Sequence, residues 1–121
     1  MCAADLPIVL IEKDPAQAAE IRDALSSRGR LVHVEESVHS VDFDAMIGGP
    51  CIVLFDIDNS DLREADIRAV VEAISAGKVI RAVILMEMSL LPEGLELLCD
   101  IRVKLLLKPF AADELLAALD T

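Results

Sequence analysis

Cys51-Ile52-Val53-Leu54-Phe55-Asp56 decides the fold. Five consecutive apolar residues are about one strand long, and no polar residue alternates with them, so both faces of that strand are expected to be covered. The run stops on a carboxylate. Ile8 to Ile11 repeats the pattern and is followed by Glu12, Lys13 and Asp14, and Val103 to Leu107 is followed by Lys108-Pro109-Phe110. Ala82 to Met86 is a further apolar run, and Lys104 alone interrupts the set. Strands of this kind belong to a parallel sheet covered by helices. Leu31 to Glu35 alternates instead, with Leu31, His33 and Glu35 set against Val32 and Val34. That predicts an edge strand with one wetter face.

Helical patterns separate the strands. Asp14 is suited to cap a helix and Pro15 to be its first residue. Ala18, Ile21 and Leu25 then share a face, and Gly29 ends the helix. Ser40 opens a short helix through Met46 and Ile47, stopped by Gly48-Gly49-Pro50. Asp61 with Glu64 resembles a capping box. Ile67, Val70, Val71 and Ile74 follow at helical spacing, ending at Gly77. A fourth helix is expected from Leu91-Pro92, presenting Leu95 and Leu98, and a fifth over Ala111 to Leu119, burying Leu115, Leu116 and Leu119. Five strand-helix units in alternation imply a doubly wound parallel sheet with right-handed crossovers. Ligands of such sheets sit beyond the carboxyl ends of the strands, where the winding reverses. The charges of Glu12, Lys13, Asp56 and Lys108 fall at three such ends.

Composition narrows the partners. The 121 residues suit one domain, residues 1–121, and 55% of them are hydrophobic, well outside the disordered class. The apolar runs are far short of the roughly 20 residues of a membrane helix, and no signal peptide is visible at Met1-Cys2-Ala3-Ala4-Asp5, so a cytoplasmic location is expected. A net charge of −11 disfavours direct nucleic-acid binding, and the chain has no Trp or Tyr to stack on bases. Partners are expected to be proteins. Cys2, Cys51 and Cys99 lack paired spacing, and His33 and His39 form no ligand pattern with them. The cysteines therefore read as small hydrophobes.

Taken together, Glu12-Lys13-Asp14-Pro15 after the first strand, Asp56 after the third and Lys108-Pro109-Phe110 after the fifth resemble the response-regulator receiver (CheY-like) family over nearly the whole chain. The resemblance implies a five-stranded flavodoxin-like sheet in the order 2-1-3-4-5. It implies Asp56 as phosphoacceptor, Lys108 as phosphate-binding lysine and a cis bond before Pro109. It also implies Mg²⁺ held by Glu12, Asp56 and the main-chain carbonyl of Asp58. An aspartate attacking a phosphodonor is an anion meeting an anion, so positive charge must be supplied, by Mg²⁺ and then by the lysine. Such a module is regulatory, not an enzyme beyond phosphorylation of its own Asp56. Its partners would be a histidine kinase or an output domain, with a homodimer through the fourth helix, fifth strand and fifth helix by analogy.

The chain departs from that pattern in four places. Lys13 stands where the second, metal-binding acid is expected, while Asp14 is better placed as a helix cap. Met86 or Glu87 stands at the end of the fourth strand where a threonine or serine switch is expected, with Ser89 too far along. Leu105 replaces the switch aromatic. An ammonium at Lys13 repels Mg²⁺ and can pair with Asp56; at an effective dielectric of about 20, a contact at ~4 Å is worth on the order of 4 kcal/mol before desolvation. The expectation is a degenerate receiver, a pseudo-receiver with weak Mg²⁺ binding, in which Lys13, Asp56 and Lys108 form a standing ion pair. The alternative is a working phosphoacceptor that tolerates Lys13. A Rossmann-like nucleotide enzyme would need a glycine-rich turn after the first strand, and Glu12-Lys13-Asp14-Pro15-Ala16 contains none. With neither Trp nor Tyr, a flavin site is similarly unsupported.

Overall fold

The chain was studied as a computed structural model that describes residues 6–36, 50–56, 64–86, 103–108 and 110–120. The apolar runs form strands β1 (Ile8–Ile11), β3 (Cys51–Asp56), β4 (Val79–Met86) and β5 (Val103–Leu107), with β2 (Val32–Glu35) between the first two in sequence. All neighbours pair in parallel, in the order β2-β1-β3-β4-β5. The described helices are α1 (Pro15–Ser26), α2 (Glu64–Ser75) and α3 (Ala112–Asp120). The helices expected from Ser40 and from Leu91 lie outside the described residues.

Two apolar layers explain why the runs lack alternation. Val9, Ile11, Val53, Phe55 and Ile84 point to one face and pack with Val70 and Ile74 of α2. Ile8, Leu10, Ile52, Leu54 and Leu85 point to the other and pack with Leu25 of α1 and Leu115 and Leu119 of α3. Successive residues of one strand thus feed opposite cores. Each large side chain buried in this way contributes roughly 1.5–3 kcal/mol relative to exposure.

The two edges differ. β2 is an edge strand as expected, and although all four of its residues are half-buried, Val32 and Val34 are the ones that pack on the α1 and α3 layer. Leu31 itself precedes the strand and is 64% exposed. β5 was expected to be covered on both sides, yet Leu105 and Leu107 are 48% and 43% exposed. On the alternate face Leu106 packs with the α1 and α3 layer, while Val103, on the same face as Leu105 and Leu107, packs with the α2 layer.

Helix ends follow sequence-local physics. The Asp14 carboxylate accepts a hydrogen bond from the Ala16 amide at 2.9 Å, and Pro15 opens α1. Beyond α1, the Arg30 amide returns to the Leu25 carbonyl across Gly29, whose φ is +79°. Beyond α2, the Lys78 amide returns to the Ala73 carbonyl across Gly77, at φ +78°. Both are glycine stops of the kind that needs a left-handed residue. A methyl group at Gly77 would meet no atom within 4 Å, so only backbone strain opposes it. Gly77→Ala is therefore expected to lower stability by about 1 kcal/mol in urea unfolding; a neutral or stabilising result would contradict the strained turn.

Three arginines tie α3 down. Arg30 Nη1 donates to Asp120 Oδ1 at 2.6 Å, Arg81 Nη1 donates to the Leu119 carbonyl at 2.6 Å, and Arg28 Nη1 donates to Asp113 Oδ1 at 2.9 Å. Arg30 is 7% exposed, and Arg81 satisfies one of the carbonyls that a helix end leaves open. No helix among the described residues is long and apolar enough to cross a membrane.

Candidate functional site

Parallel pairing brings the ends of β1, β3 and β5 to one edge of the sheet. Ile11 lies opposite Phe55, so Glu12 and Asp56 are the next residues along neighbouring strands. Asp56 lies opposite Leu85, which lies opposite Leu106, and Lys108 follows two residues later. The register alone therefore delivers two acids and a lysine to the carboxyl edge.

Asp56 is wholly buried, and its two oxygens accept from one ammonium: Lys108 Nζ stands 2.8 Å from Oδ1 and 2.9 Å from Oδ2. The Lys108 side chain keeps 18% of its surface exposed, enough to touch water from one side. A carboxylate inside a protein is costly unless paired, and this geometry supplies a short, charge-assisted pair.

Glu12 is 2% exposed, and its Oε1 accepts from the Asp14 amide at 3.0 Å. It thus holds the turn that feeds α1, a role that the acid-rich turn did not announce in the sequence. The Glu12 amide in turn donates to the Glu35 carbonyl at 2.9 Å, carrying the β1–β2 ladder one residue further. Lys13, next along, is exposed at this same edge.

Of the residues read from the sequence, Asp56 and Lys108 are brought into contact, with Glu12 buried at the adjoining strand end. Leu105, at the switch-aromatic position, is a half-exposed aliphatic residue on β5. Met86 ends β4, opposite Leu107. Asp58, Glu87, Ser89 and Pro109 lie outside the described residues, and with them the main-chain metal contact, one switch position and the cis bond. Among the described residues, no group of three or more His, Cys, Asp or Glu side chains is clustered to hold a metal ion. Among the described residues, Glu12 and Asp56 are buried acids at this edge, and both Asp56 oxygens accept from Lys108. Cys51 is buried in β3, and burial pushes its thiol up to about 11, consistent with an inert core residue.

The arginine contacts at the opposite edge were not foreseen. Arg30 and Asp120 are 90 positions apart, so no local pattern could pair them.

No family model matches the sequence, and no curated protein matches it. Solved structures do. Full-length FixJ from B. japonicum shares 23% identity at TM-score 0.73, over 95% of this chain and 56% of the FixJ chain. This chain thus spans little more than half of that protein. A CheY-like response regulator receiver domain protein from Methanospirillum hungatei JF-1 shares 15% identity at TM-score 0.73, over 93% of this chain and 89% of the other. A response regulator receiver domain protein from Bacillus halodurans C-125 shares 24% identity at TM-score 0.67, over 96% and 95% of the two chains. With five parallel strands in the order 2-1-3-4-5 and helices on both faces, the chain has the fold of the CheY-like response-regulator receiver domains.

Proposed function

We propose that this chain is a cytoplasmic, receiver-like signalling module of the two-component type, and a degenerate one that acts through protein-protein contacts. The supporting observation is the buried Asp56 carboxylate gripped at both oxygens by Lys108. The pair supplies internally the positive charge that a phosphorylatable receiver draws from Mg²⁺. Lys13 adds a second positive charge at the same edge, in place of an acid. Phosphorylation would have to displace Lys108 from a pair already formed, with no strong metal site to help. In this reading, the module binds a histidine kinase or an output domain, or pairs with a second copy, in a conformation set without phosphate.

A working phosphoacceptor is the competing reading, favoured by the same juxtaposition of Asp56 and Lys108, because those groups are the nucleophile and the phosphate-binding cation of active receivers. Incubation with acetyl phosphate and Mg²⁺ separates the two. The intact mass is expected to stay unchanged. A gain of one phosphoryl group that Asp56→Asn abolishes would establish the competing reading.

A further inference from the structure

Helices α1 and α3 lie on the same face of the sheet but leave a groove of about 360 Å³ between them. That volume falls in the lower part of the range of small-molecule sites, roughly 300–1,000 Å³. Its apolar wall comes from Ile21 and Ala24 on α1 and from Phe110 and Leu115 across from them. Phe110 is one of only three phenylalanines in the chain, and it is half-buried here, as are Ile21 and Ala24. The groove reaches Lys108 at one side and Gln17 and Glu20 at another.

Charge decides what such a groove would accept. The Lys108 ammonium is committed to both oxygens of Asp56, so that pair presents no net charge. Glu20 is exposed, and among the described residues no cation is paired with it. Nearby on α3, Asp113 is already matched by Arg28, and Glu114 Oε1 accepts from the Ala111 amide. An anion entering the groove would meet Glu20 unfavourably and would have to share Lys108 with Asp56, which takes two of its three N–H donors. A neutral apolar molecule would leave Glu20 unused. A cation gains Glu20, and the net charge of −11 raises the local concentration of cations.

We propose that the α1–α3 groove binds a small amphipathic cation, a primary amine carried on an aromatic or short aliphatic body. The apolar part lies against Ile21, Ala24, Phe110 and Leu115, and the ammonium faces Glu20.

Phenethylammonium, phenethyl alcohol and phenylacetate share one ring and differ in charge, so calorimetric titration of each into the whole chain tests the proposal. Phenethylammonium is expected to bind saturably, at least about five-fold more tightly than the alcohol, with phenylacetate weakest. Glu20→Gln, a surface change that leaves the core intact, should bring the ammonium to the level of the alcohol. Ala24→Phe should fill the groove and remove binding of both. Equal affinity for the three probes, no saturation by the ammonium below ~10 mM, or an ammonium preference that survives Glu20→Gln would each overturn the proposal.

Discussion

Lys108→Met is expected to destabilise the fold by roughly 3–5 kcal/mol, far more than Asp56→Asn at about 1 kcal/mol. The asymmetry follows from burial. Asp56 is 0% exposed, whereas the Lys108 side chain keeps 18% of its surface in water. Removing the lysine strands a buried carboxylate without the ammonium that both its oxygens accept. Removing the aspartate charge leaves a lysine whose flexible stem can turn its head outward. For a domain of this size the lysine variant should melt roughly 10–20 °C lower, and the asparagine variant only a few degrees lower. The double variant Lys108→Met/Asp56→Leu should recover most of the loss, because replacing a buried pair by apolar groups is often neutral. Urea and thermal unfolding of the four proteins check this. Equal losses for the two single variants would mean that the pair does not carry the burial of Asp56.

Lys13→Asp is expected to raise Mg²⁺ affinity about 30-fold, or ~2 kcal/mol. The substitution changes the charge at the metal edge by two units. Facing a divalent ion ~8 Å away in a medium as polar as water, that is worth about 2 kcal/mol before screening. It also adds a third acid beside Glu12 and Asp56. Lys13→Gln removes the repulsion without adding a ligand and should recover about half of the effect. Calorimetric titration with MgCl₂ reads both. If Mg²⁺ binding stays as weak in Lys13→Asp as in the unmodified chain, Lys13 is not what suppresses it.

The centre of the fold was legible because its physics is local in the chain. Uninterrupted apolar runs mark strands buried on both faces, and β1 and β5 have the bounds that their runs suggest. Asp14, Gly29 and Gly77 act where a cap and two left-handed stops were expected. β4 starts at Val79, earlier than its run, because Arg81 interrupts the apolar pattern while remaining in the ladder and reaching over to α3. Exposure on β5 was misread because hydrophobicity does not tell a central strand from an edge one. At the site, the contact between Asp56 and Lys108 was legible from strand ends and resemblance. The backbone-holding role of Glu12 was not, because it depends on the course of one turn. The contacts of Arg28, Arg30 and Arg81 were hidden for a different reason, since each partner lies far away in sequence.

Those arginine contacts also determine how α3 can respond to events at its other end. Its final turn is riveted by Arg30 and Arg81, while its opening turn follows directly on the segment after Lys108. Its opening turn carries one exposed tie, Arg28 to Asp113, against two at the final turn, so a displacement of the segment after Lys108 would cost least at the Asp113 end and most near Leu119 and Asp120.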